Sequence, residues 1–124
     1  MRAGLIFLAV AQGLAGLVQL FAPKTFYDIP WVTLLPPYNE HLMRDVGALT
    51  LAYVLVLAVA AIKMEPVLVR TALAANLVFT VPHFLFHATH LDHYPLASAI
   101  GQTTALGLAV VIPATMLVVS LRRS

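Results

Sequence analysis

Four long apolar runs separated by short polar gaps make up most of the chain, at about residues 3–22, 40–62, 66–91 and 96–121. An α-helix rises 1.5 Å per residue, so about 20 apolar residues cross a hydrocarbon core of ~30 Å. The pattern predicts an all-α, integral membrane four-helix bundle, up-down-up-down, forming a single domain over residues 1–124. Local signals mark the helix ends. Asn39, just after Pro37, is a natural N-cap, and Pro66 suits the first position of the third helix. The turn Lys63-Met64-Glu65 is short, which makes the second and third helices antiparallel neighbours. Pro82 cannot donate to the Val78 carbonyl, so a kink is expected in the third helix. The first run is expected to be a span and not a secretory signal, because its apolar stretch is too long and only Arg2 carries charge before it.

Polar positions on this apolar background are patterned. Asn76, Thr80, His83, His87 and His90 fall at steps of four, three, four and three, which places them within an arc of roughly 80° on one helix face. Four of the five histidines lie between His83 and His93. Gln12 and Gln19, with Gly16 between them, share a face of the first helix. Glu40, His41, Arg44 and Asp45 open the second, and Ser98 and Gln102 open the fourth. Residues 23–38 hold four prolines along with Phe26, Tyr27, Trp31 and Tyr38, which predicts a non-helical loop lying at a membrane–water interface. Ala97, Gly101, Ala105 and Ala109 form a small-residue strip that suits close helix packing, either within the monomer or across a homodimer.

Composition sharpens this picture. Hydrophobic residues make up 61% and charged residues 10%, with a mean hydropathy of +0.94, far from a soluble globular mix. A net charge of +2 without a basic, aromatic-interleaved cluster argues against nucleic acid as a partner. The absence of cysteine excludes disulfides, thiolate nucleophiles and Cys-ligated metals. Both termini and the 63–65 turn share one side, which carries Arg2, Lys63, Arg70, Arg122 and Arg123; the other carries only Lys24 and Arg44. The positive-inside rule then predicts cytoplasmic termini in the cell's inner (plasma) membrane. Counting residues at 1.5 Å sets Arg44 and Asp45 about 6–8 Å inside the outer end of their helix, with His87 at about 6 Å and His83 at about 12 Å. Gln19 and Gln102 fall in the same band. Ionisable groups in a membrane face the bundle interior or a wet cavity, so the expectation is a polar pocket in the outer half.

Several chemistries are open to such a pocket. One is binding, and in one form transforming, a small hydrophobic or amphipathic ligand of the lipid, isoprenoid or quinone type. Arg44 would hold an anionic or carbonyl oxygen, His83 or His87 with Asp45 or Glu40 would exchange protons, and His41, Asn76, His90, Gln19 and Gln102 would line the site. A second is a zinc, iron or copper site using His83, His87 and His90, for which the i, i+4 spacing suits a single ion. A b-type haem held by His41 and a third-helix histidine is a variant of that reading. A third is a structural or assembly subunit in which Arg44 pairs with Glu40 and the histidines satisfy one another. The dry inner half argues against a transport path. No cofactor is required by the sequence, and the membrane lipid is the one partner composition demands.

The stretches FAPKTFYDIPW (21–31), PPYNEHLMRDVGALTLAY (36–53) and VPHFLFHATHLDHYP (81–95) resemble a family of small, uncharacterised four-span membrane proteins of actinobacteria and related bacteria. In span count and length the chain is also similar to DoxX-like proteins, a broad group of four-helix membrane proteins partly linked to quinone metabolism. These resemblances imply the architecture and a membrane location; no catalytic role is carried with them.

Overall fold

The structure is a computed structural model that describes residues 1–33 and 37–123. Helix α1 spans Arg2–Phe21, and the way it sorts its side chains identifies the solvent it is made for. Leu5, Leu8 and Gly16 are buried, while Phe7, Val10, Leu14, Leu17 and Phe21 form an exposed stripe, Phe21 at 73%. Both faces are therefore apolar, and the helix's internal polar residues, Gln12 and Gln19, are partly buried instead of outermost. In water this arrangement is inverted; in a lipid bilayer it is the stable one.

Ala22 leaves the helical region at φ −135°, ψ 58°, and Pro23 starts a short second helix, α2, over Pro23–Tyr27. Prolines in this region predicted only loop, but Pro is tolerated at a first helical position, where its missing N–H is not needed. Residues 34–36 of that expected interfacial loop lie outside the described residues.

Helix α3 covers Glu40–Lys63 and is capped by Asn39, whose side chain accepts from the Leu42 N–H at 2.9 Å. It ends at Met64, which takes the left-handed conformation at φ 56° and packs its side chain on the core. Helix α4 follows from Pro66 to Ala88 and carries Pro82 inside it. It stops short of Leu91, and the Thr89 hydroxyl bonds back to the Leu85 and Phe86 carbonyls of its last turn at 2.9 and 3.0 Å. Helix α5 spans Leu96–Arg122 around a buried Pro113. No strand is present among the described residues.

The chain is an all-α four-helix bundle whose long helices, α1, α3, α4 and α5, are each long and apolar enough to cross a membrane, the architecture of a polytopic membrane protein. Helix α1 packs mainly on α3 and α4 mainly on α5, with α3 against α4 joining the two pairs. The dry core sits at the end that carries the termini, where Leu5 and Leu8 meet Leu57, Ala60 and Ala61 of α3 and Val69, Ala72 and Leu73 of α4. At the same end Arg70 donates to the Ser120 carbonyl at 2.8 Å, tying α4 to α5.

Toward the end opposite the termini, α1 and α3 touch backbone to backbone. A Cβ on Gly47 would lie 2.6 Å from the Leu20 nitrogen and 2.9 Å from the Gly16 carbonyl oxygen. Neither can move without displacing a helix. Gly13, by contrast, would meet only the Val54 side chain, at an ordinary 3.5 Å. Gly47→Leu is therefore expected to destabilise the bundle by about 1–3 kcal/mol, with Gly13→Ala neutral or better, in thermal unfolding followed by circular dichroism in detergent.

Candidate functional site

At the end opposite the termini the two helix pairs do not close on each other. A cavity of about 590 Å³ lies between them. Ala15 and Gln19 of α1 and Leu42, Met43 and Val46 of α3 form one side, and His83 and His87 of α4 with Gln102, Ala105 and Leu106 of α5 form the other. The segment joining α1 to α3 covers it with Phe26, Tyr27, Ile29, Trp31, Val32, Pro37, Tyr38 and Asn39.

That cover is tied down at several points. Tyr27 and Thr33 bond reciprocally, the Thr33 hydroxyl donating to the Tyr27 carbonyl at 2.7 Å and the Tyr27 hydroxyl to the Thr33 carbonyl at 3.2 Å. The Tyr27 and Tyr38 rings lie 5.0 Å apart, and the Lys24 ammonium, paired with Asp28, lies over both. Gln102 Nε2 donates to the Trp31 carbonyl at 2.8 Å. A Cβ at Gly101 would fall 2.7 Å from the Trp31 indole, so the glycine is what lets the ring seat on α5. Sequence reasoning placed Trp31 at a bilayer surface and missed it as a cavity wall. The signal was the Gly101-Gln102 pair, a gap beside a buried amide.

The histidine stripe of α4 divides. Asn76 is 0% exposed and donates to Gln12 Oε1 at 2.7 Å, joining α4 to α1 below the cavity, while the Thr80 hydroxyl bonds back to the Asn76 carbonyl at 3.0 Å. His83 and His87 reach the cavity; their rings meet edge to face at 4.6 Å, and His83 stacks on Phe79 at 5.3 Å. His90 lies beyond the helix end, its Nδ1 donating to the Phe86 carbonyl at 2.7 Å and its ring stacked on Phe86 at 4.2 Å. It does not line the cavity, in contrast to the expectation that it continues the stripe.

The charged residues of α3 also depart from the expected pocket. Arg44 Nε and Nη2 both donate to Glu40 Oε1, at 2.9 and 2.8 Å, and Nη1 donates to the Leu20 carbonyl at the C-terminal end of α1. A cation at a helix C-terminus meets free carbonyls and the negative end of the dipole, and this role holds Arg44 away from the cavity. His41 pairs with Asp45 at 3.3 Å on an open surface, the side chains 87% and 63% exposed. None of Glu40, His41, Arg44 and Asp45 lines the cavity, which takes Leu42, Met43 and Val46 from this helix instead. The metal reading of His83, His87 and His90 is not met by geometry either: among the described residues no three His, Asp or Glu side chains converge as a metal site requires. His41, the haem variant's second ligand, is on the open surface.

What the cavity wall does hold is buried polarity. Gln19 Oε1 is a buried atom without a hydrogen-bond partner, and the buried polar side chains of His87 and Gln102 interact with each other; all three residues line the cavity. A partnerless buried atom costs about 1–3 kcal/mol, and native interiors hold few of them. A second hollow of about 540 Å³, between α1 and α3 near the termini, is lined by apolar side chains and Arg2 and holds no such group. The covered cavity is therefore the candidate site. Comparison with protein-family models, curated proteins and solved structures finds no match to this chain.

If Arg44 serves α1 and not the cavity, Arg44→Ala frees the Leu20 carbonyl and lowers the melting temperature by a few degrees in detergent. His41→Ala, on the open surface, leaves it unchanged.

Proposed function

We propose that this is a multi-pass plasma-membrane protein that binds a small hydrophobic or amphipathic molecule, of the lipid, isoprenoid or quinone type, in the covered cavity. The observation that carries the reading is a covered hollow of about 590 Å³ whose mostly apolar wall includes Gln19, His83, His87 and Gln102. Pockets of 300–1,000 Å³ with mostly apolar walls and a few convergent polar groups are the usual form of small-molecule sites. Leu42, Met43, Val46 and Leu106 supply the apolar wall, and Gln19, His83, His87 and Gln102 supply the polar groups. Any acid–base step would fall to His83 and His87, because neither Asp45 nor Glu40 lines the cavity. The resemblance to small four-span bacterial proteins belongs to this proposal and adds no reaction to it.

The orientation proposed is termini in the cytoplasm and cavity outward. It rests on five basic residues at the terminal end, Arg2, Lys63, Arg70, Arg122 and Arg123, against Lys24 and Arg44 at the other.

Native mass spectrometry of the protein released from its own membrane tests the binding reading. The wild type is expected to carry one small molecule per chain, Ala105→Phe to lose it by filling the cavity, and Arg44→Ala to keep it. An empty wild type, or equal loading of Ala105→Phe, sinks the reading. Because the chain has no cysteine, single-cysteine variants report topology cleanly. A membrane-impermeant maleimide should label His93→Cys in intact cells and Lys63→Cys only after permeabilisation; the reverse pattern inverts the orientation.

A further inference from the structure

The second hollow, of about 540 Å³ between α1 and α3, opens in another direction from the covered cavity. Helix α1 turns Leu5 and Leu8 into the core, which leaves Ile6, Ala9 and Val10 on an outer side, and α3 sets Ala58, Ala61 and Ile62 alongside them. The alanines form a floor between Ile6, Val10 and Ile62, which are 49, 56 and 72% exposed. The result is a groove on the outside of the bundle.

Around a membrane span that outside is acyl chain. Water does not enter the hydrocarbon to fill an apolar groove, and an empty one forfeits the dispersion contacts of its lining. Its length says how much of a lipid it takes. Arg2 and Val10 are separated by eight residues, about 12 Å at 1.5 Å each, while one leaflet of a ~30 Å hydrocarbon core is about 15 Å deep. The groove therefore runs down a single leaflet, with Arg2 at the head-group end and Val10 toward the midplane.

The charge at that end is uncompensated. Lys24, Arg44 and Arg70 are engaged by Asp28, Glu40 and Ser120. Arg2 is exposed, no acidic side chain lines the groove with it, and the ion pairs among the described residues all lie at the opposite end of the bundle. Glu65 is the only acidic side chain at the terminal end, against five bases.

We infer that this groove is a site for one anionic phospholipid of the leaflet on the terminal side, an acyl chain lying over Ala9, Ala58 and Ala61 and the phosphate on the Arg2 guanidinium. A guanidinium takes phosphate oxygens through paired N–H donors. A zwitterionic head group carries its own cation toward the five bases and gains less. The site is separate from the covered cavity and holds whether or not that cavity takes a ligand.

Native mass spectrometry of the detergent-solubilised chain tests it, with phosphatidylglycerol titrated against phosphatidylcholine of the same acyl chains. One phosphatidylglycerol per chain is expected to bind about fivefold more tightly than phosphatidylcholine, the worth of one arginine beside an anionic head group. Arg2→Gln, an exposed change that leaves the melting temperature alone, should remove that preference, whereas Arg123→Gln, outside the groove, should keep it. Ala58→Phe, which fills the groove, should weaken binding of both lipids. A wild type without the preference overturns the inference, and so does an Arg2→Gln variant that retains it. Loss of the preference in Arg123→Gln would reduce it to general attraction between charges, and a dimer mass in place of bound lipid would put a second copy of the chain on this face; either result overturns it as well.

Discussion

The backbone contact between α1 and α3 at Gly16 and Gly47 is the constraint on which the open end of the bundle depends. It brings the last turn of α1 against the second turn of α3, with the Leu20 nitrogen only 2.6 Å from where a Gly47 side chain would begin. Arg44 lies one turn before Gly47 on the same face, so this approach delivers its guanidinium to the Leu20 carbonyl. The most conspicuous charge in the sequence is thereby spent on closing a helix end. The cavity that remains is lined from α3 by Leu42, Met43 and Val46 and has no fixed charge.

The two ends of the bundle solve the same problem differently. At the terminal end, leucine, valine and alanine fill the interior and leave the helices in contact. In the middle, Asn76 and Gln12 satisfy each other across α4 and α1, although Asn76 Oδ1 is still without a partner. At the far end the helix pairs part, and the segment after α1 folds over the gap with Trp31 held by Gly101 and Gln102. Interhelical hydrogen bonds in membranes contribute on average only about 0.6 kcal/mol, so polar groups in such a wall are poor choices for stability alone. Their concentration around one hollow is what the proposed ligand-binding role would use.

Much of the fold was legible because hydropathy is a local property. A span announces itself by twenty or so apolar residues, and Asn39 and Pro66 mark starts by chemistry that needs no distant partner. The site was legible only in part. His83 and His87 were readable as inward members of a stripe, and Gln19 and Gln102 as polar residues at matching depth, because helical periodicity fixes which residues share a face. His90 was misread because α4 ends at Ala88, so the helical period that places His83 and His87 no longer applies at His90. Pro23 was read as loop alone, though a proline can also begin a helix.

By itself, then, the sequence determined the helices, their alternation and the level at which polar groups gather, since these follow from composition, period and rise per residue. The tertiary structure alone decided which of those groups face one another. Arg44 and Glu40 sit at the right level and on the wrong side of α3, because a helix carries its ion pairs together and the free carbonyl of α1 was the nearer partner. Trp31, far from any helix pattern, became a wall because Gly101 left it room. Depth along an axis can be counted from residues; rotation about it, and the path of a loop across it, are set by packing.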